Sequence, residues 1–191
     1  MKRWLIFVAL FGCGGDGARA GTGGSGTAGA GGDGAGGTAG AVMGEGPCNA
    51  KSIAMPIEGA MHVAVGTNVA YRSNPPSSGN HFPYWGTWGA HDPALERGHY
   101  VHNLEHGGVI IQYGSRVPRA TVEELTAFYD SSPNGLLMAP LPQLKSKIAL
   151  TAWTHLELCS RFDEAAVKAF RNAYRGKGPE RVPVAVLKPG T

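Results

Sequence analysis

Three short apolar runs mark the second half of the chain: Gly108-Val109-Ile110-Ile111-Gln112-Tyr113, Leu136-Leu137-Met138-Ala139 and Ile148-Ala149-Leu150-Thr151-Ala152-Trp153. Each is short, apolar and bounded by glycine, proline or polar residues, and so reads as a buried strand. Between the first two, Val122, Leu125, Phe128 and Tyr129 recur at helical spacing. Thr121-Val122-Glu123-Glu124 precedes them as a capping box, with Thr121 at the N-cap, and Ser132-Pro133-Asn134-Gly135 closes the element. A last helix follows Asp163 as N-cap. Phe162 and Val167 are spaced as a hydrophobic staple, and Val167, Phe170 and Tyr174 form the apolar face. Gly176 and Gly178-Pro179 stop it.

Upstream the pattern is weaker. Ile53 to Val69 reads as two short strands around glycine turns, with His62 in a partly alternating segment that suggests a structural role. Tyr71 to Gly86 is neither helix nor strand, because Pro75, Pro76 and Pro83 each fix φ and remove a donor. Its aromatics Phe82, Tyr84 and Trp85, with Trp88 just beyond, either cap the core or line a site. His91 to Gly98 is polar and reads as exposed. The pattern predicts a small single α+β domain, with a mostly antiparallel sheet and two main helices packed on it.

The chain ahead of this domain reads differently. Met1-Lys2-Arg3 is a basic start, and the apolar run from Trp4 to Phe11 is far below the ~20 residues a membrane span needs. That is the pattern of an export signal over residues 1–12. Leu10-Phe11-Gly12-Cys13 resembles a bacterial lipobox, which implies cleavage before Cys13 and a lipid on its thiol. The expected place of the protein is therefore the cell envelope, anchored to a membrane outside the cytoplasm. Residues 13–46 are dominated by glycine and alanine and predict a flexible tether, leaving 47–191 as the globular domain.

The formal net charge of +3 includes Lys2 and Arg3. The domain itself is close to neutral, and gives no electrostatic footprint for nucleic acid. Of three cysteines, Cys48 and Cys159 remain once Cys13 is lipidated. An exported protein lives where disulfides persist, so a Cys48–Cys159 bridge is expected, with two separate thiols as the alternative.

Candidate chemistry concentrates in Tyr100-Val101-His102-Asn103-Leu104-Glu105-His106-Gly107-Gly108. Five of the seven histidines lie between His81 and His106. In a helical turn, residues four apart share a face, with Cβ atoms about 5–6 Å apart. His102 and His106 could then hold one metal, with His81 arriving on the proline-rich loop as a third ligand. Glu105 would orient an imidazole or serve as a fourth ligand. Imidazoles suit a transition metal, copper or zinc first. His102-Asn103-Leu104-Glu105-His106 also matches the H-x-x-E-H pattern of a zinc peptidase, but glycines and a strand follow where a long helix would be needed. No nucleophile elbow is present, although Ser77 and Ser78 lie near His81. The alternative is a metal-free envelope module that binds a ligand or protein through the loop around Trp85 and Trp88.

Three segments together resemble the bacterial domain-of-unknown-function family 3105: Asn74-Pro75-Pro76-Ser77-Ser78-Gly79-Asn80-His81, Val101 to Val109, and Leu150-Thr151-Ala152-Trp153. Phe162-Asp163 and Gly178-Pro179-Glu180 are similar to its C-terminal pattern. The resemblance spans about residues 55–182 and departs at Thr154, where glycine would be expected. It implies His81, His102, Glu105 and His106 as the site, and it implies no activity.

Overall fold

In the computed structural model the described residues are 47, 48 and 52–191. The expected export signal, the expected lipidation site Cys13 and the expected tether to residue 46 lie outside them. The core is a sheet of six strands: β1 (Ile53–Ala54), β2 (Gly89–Ala90), β3 (Val109–Tyr113), β4 (Leu136–Pro140), β5 (Ile148–Ala152) and β6 (His155–Cys159). Their order across the sheet is β1-β6-β5-β3-β4-β2. The β1·β6, β6·β5 and β5·β3 pairs are antiparallel, while β3·β4 and β4·β2 are parallel. The α+β class holds with a mixed sheet, because a helix carries the chain from β3 to its parallel neighbour β4.

Side-chain alternation gives the sheet two buried faces. On one, Val109, Ile111, Leu136, Met138, Ile148 and Leu150 pack with Leu125, Phe128, Val167 and Phe170 of α2 (Arg119–Asp130) and α3 (Glu164–Tyr174). On the other, Ile110 and Leu137 pack with Trp88 and with Tyr100, Val101 and Leu104 of α1 (Arg97–Glu105). Leu187, from the C-terminal segment, closes this second cluster and is fully buried.

α3 starts as the sequence predicts: Asp163 Oδ1 accepts the Ala166 N–H at 3.0 Å. α2 does not. Its N-cap position is Pro118, with no side-chain cap, and Thr121 lies inside the first turn. Proline, with φ of −58°, is already shaped for a helix entry, so the helix begins ahead of the capping box. The second strand expected before Val69 does not form either. Beyond β1 that segment pairs at one isolated bridge, His62 with His81, and is otherwise irregular.

β5 and β6 form a hairpin that the sequence reading missed. At its turn Thr154 holds φ of +57°, a left-handed conformation that costs a β-branched residue and that glycine adopts freely. This is the physical reason glycine is expected here. Cys48 and Cys159 are joined by a disulfide across 111 residues. It lies in the cluster packed by α2 and α3.

Candidate metal centre

α1 carries the site in its last turn. His102, Glu105 and His106 stand at i, i+3 and i+4, the spacing that places side chains on one helix face. The helix ends in a Schellman arrangement: Gly107 N–H donates to Leu104 O at 2.9 Å and Gly108 N–H to Asn103 O at 2.8 Å, with Gly107 at φ of +84°. The glycine pair thus stops the helix one residue after Glu105. All three site residues on this turn are buried.

The proline-rich loop lies against this helix and brings His81 to it. Fully buried Phe82 seats its ring against Gly98, where a β-carbon would come within 2.7 Å of the ring atoms. Phe82 N–H donates to Gly98 O at 3.0 Å. Asn103 clamps the loop farther along, accepting the Gly86 N–H at 2.8 Å and donating to Gly86 O at 2.7 Å. Both polar atoms of the buried amide are bonded to the backbone of one residue, which fixes the loop's height over α1.

Two histidines are oriented through backbone carbonyls. His81 Nδ1–H donates to Gly79 O at 2.8 Å, and His102 Nδ1–H donates to Phe82 O at 2.6 Å. A carbonyl only accepts, so these bonds place the proton on Nδ1 and leave Nε2 with its lone pair in the neutral ring. His81 Nε2 lies 3.0 Å from Glu105 Oε2, and His102 Nε2 lies 2.8 Å from His106 Nε2. The first approach sets a lone pair against a carboxylate oxygen, a contact that is favourable only with a proton or a cation between them.

His62 completes the group. Its ring stacks on His102 at 4.9 Å between centroids, with 12° between planes, and its Nε2 stands 4.0 Å from Glu105 Oε2. Two donor sets result, His62–His81–His102 and His102–Glu105–His106, each with ligand atoms within 4.8 Å of one another. These groups could hold a metal. Burial holds the His102 pKa down to about 4, helped by the neighbouring His106, His81 and His62 and opposed by the Phe82 carbonyl. Burial lowers that of His106 as well, against the pull of Glu180 and Glu105. Neutral imidazoles are the ligating form, so protons compete weakly for these rings at neutral pH.

The centre has an outlet. A pocket of about 300 Å³ opens beside His102, lined by Pro83, Tyr84 and Trp85. Tyr84 is exposed, whereas Trp88 is buried in the core, and Trp85 is half-buried against that core with its ring 4.9 Å from that of His106. Ser77 and Ser78 are fully buried, and Ser78 Oγ accepts the Glu58 N–H at 3.1 Å, which makes Ser78 a loop fastener. The peptidase context fails as expected, because α1 is nine residues long and ends at Glu105.

The structure brings together all four expected residues, His81, His102, Glu105 and His106, and adds three. The partial alternation around His62 suggests a structural role; the signal that it belongs here is its single bridge to His81, which no local pattern announces. Asn103 sits inside the motif without a ligand's chemistry. Glu180 stands with Oε2 3.5 Å from His106 Nε2 and was visible only as part of Gly178-Pro179-Glu180. Cys48, Glu157 and Cys159 also lie close together, but the two sulfurs are bonded to each other, so they are not free thiolates.

A family model described as "Protein of unknown function (DUF3105)" matches residues 62–185. Comparison with curated proteins found no match, and comparison with solved structures found none. The chain belongs to the family of unknown function that this model describes.

Proposed function

We propose that this family member binds a transition metal, copper or zinc, at the histidine cluster, and does so as an exported protein anchored to a membrane of the cell envelope by a lipid on Cys13. One observation carries the metal reading. His81 and His102 each spend Nδ1–H on a backbone carbonyl and turn Nε2 inward, toward Glu105 and His106. Orientation of a ligand imidazole through its other nitrogen is the usual companion of metal ligation. A histidine with only a packing role has no need to converge on three other titratable side chains.

The envelope placement rests on the basic-apolar start and the lipobox-like Leu10-Phe11-Gly12-Cys13. The Cys48–Cys159 disulfide supports it, since such bonds persist in oxidising compartments.

The test is metal content by mass spectrometry on the full chain, purified without a polyhistidine tag. Wild type is compared with the double variant His102→Ala, His106→Ala. Bound metal in wild type that is lost in a folded double variant supports the reading. No bound metal after loading with copper, zinc, nickel and iron ions would end it. Placement is tested by fractionating cells that express wild type and Cys13→Ala: lipid labelling and membrane association that depend on Cys13 are expected, and a soluble cytoplasmic wild type would refute the anchor.

A further inference from the structure

The number of donors exceeds what one ion takes. Zinc in a protein site uses four ligands, at about 2.0–2.2 Å. Here four imidazoles (His62, His81, His102, His106) and two carboxylates (Glu105, Glu180) approach one another. Donors on one ion lie no farther apart than twice the bond length, about 4.4 Å. The histidines and Glu105 instead group as two sets that share His102, with Glu105 of the second set also reaching His81 and His62 of the first. His102 has one free nitrogen, since Nδ1 is committed to Phe82 O, so it serves one ion only.

Glu105 is the natural divider. Its Oε2 lies 3.0 Å from His81 Nε2 and 4.0 Å from His62 Nε2, which leaves Oε1 for the other side. On that side His106 Nε2 has Glu180 Oε2 at 3.5 Å. The segment that brings Glu180 is fastened rather than loosely laid. Glu180 N–H donates to Glu105 O at 3.1 Å, and Gly176 N–H donates to Gly107 O at 2.8 Å. Gly178 sits so close to the Glu105 carbonyl and Gly107 nitrogen that no side chain fits there.

We propose that the cluster takes two divalent transition cations side by side. His62 and His81 hold one, His106 and Glu180 hold the other, and the Glu105 carboxylate bridges them. His102 completes one of the two. Bridged pairs of this kind stand about 3.5–4 Å apart. The two carboxylates offset half of the charge of two divalent ions, and the pocket at Pro83, Tyr84 and Trp85 is the open side. This inference rests on the metal-binding reading and refines it.

The test loads the metal-free full chain with Zn(II) and counts ions per chain by mass spectrometry after gel filtration. Cu(II) loading is followed by electron paramagnetic resonance, which detects dipolar coupling between close ions. Two zinc ions per chain are expected, with a coupled copper signal. Glu180→Ala and His62→Ala are each expected to lower the count to one. Both side chains are about half exposed, so neither change should unfold the protein, which circular dichroism would check. A wild-type count of one overturns the two-ion inference and leaves the metal-binding reading intact. Two ions that survive both substitutions, without coupling, overturn it as well. A count of zero for zinc, with no bound copper, nickel or iron after loading either, overturns the metal reading itself.

Discussion

Nε2 of His102 lies 2.8 Å from Nε2 of His106, one helical turn on. The two rings stack with 20° between planes and 4.8 Å between centroids. In the metal-free chain one nitrogen must donate to the other, and His106 Nδ1 is then left buried without a partner. A metal bound there would take both Nε2 lone pairs, with the His106 proton moving to Nδ1. His102→Ala is therefore expected to lower metal affinity by more than the roughly 10–100-fold that loss of a supporting partner costs. Competition with a chelator of known affinity measures it, and an unchanged affinity would remove His102 from the ligand set.

Stability of the metal-free chain should depend on pH through the same ring. His102 has a folded pKa of about 4, against an ordinary value of 6.5. Between these values the unfolded chain binds the proton and the folded chain does not. The stability contribution is thus fully present above about pH 6.5 and is lost as pH falls toward 4. The groups facing the ring are His62, His81, His106 and the Phe82 carbonyl, with Glu105 alongside. The shift corresponds to at most about 3 kcal/mol, and nearer 1–2 kcal/mol after screening by solvent from the pocket side. Denaturant titrations at pH 7, 5.5 and 4 should show the decline, and His102→Gln should flatten it. Equal slopes in both proteins would assign the decline to other groups.

Gly98 sets the distance between the loop and α1. A β-carbon there would meet Phe82 ring atoms at 2.6–2.7 Å, and that ring is locked in place by burial. Gly98→Ala is expected to cost about 1–3 kcal/mol, the usual range for overpacking. It should also weaken metal binding, because His81 precedes Phe82 and the Phe82 carbonyl holds His102. A variant that loses stability but keeps full metal affinity would show that the loop does not set the site's geometry.

How much of this was legible follows from where each residue's partners lie. β3, β4 and β5 were readable as short unbroken apolar runs bounded by turn residues, and α2 and α3 because their apolar positions repeat at helical spacing. α1 was readable only as a turn at His102–His106. Gly98 and every residue from Tyr100 to Glu105 are buried, polar and apolar alike, so burial leaves no amphipathic stripe to read. β6 alternates, with Leu156 and Leu158 on one face and His155 and Glu157 on the other. Burial of Glu157 gives that second face a charged residue where an apolar one would be expected. Within the site, His81, His102, Glu105 and His106 stood out because clustering is visible in one dimension. His62 and Glu180 reach the cluster from distant segments, through a single bridge and a loop fastened by backbone bonds.

Thr154 should be improvable. A left-handed conformation costs a non-glycine residue roughly 1–2 kcal/mol, and Thr154 Oγ1 recovers part of that by donating to Trp153 O at 2.7 Å. Glycine pays more entropy on folding, about 0.4–1 kcal/mol. Thr154→Gly is expected to stabilise the domain by about 0.5–1 kcal/mol, which is a rise of a few degrees in Tm at this size. Thermal unfolding checks it, and a lower Tm would mean that the hydroxyl contacts outweigh the strain.

The disulfide and the histidine cluster should prove separable. Cys48 and Cys159 belong to the cluster under α2 and α3, on the sheet face opposite α1. The bond closes a loop spanning 111 residues, so its loss enlarges the unfolded ensemble, with a typical cost of 2–5 kcal/mol. Replacing both cysteines with alanine is therefore expected to lower the unfolding free energy by that amount, read as a lower denaturant midpoint. The Nδ1–H anchors at Gly79 and Phe82 do not pass through the disulfide, so metal stoichiometry measured well below the new midpoint should be unchanged. Metal loss in a variant that remains folded would show that the two faces of the sheet are coupled, and would place the disulfide among the supports of the metal centre.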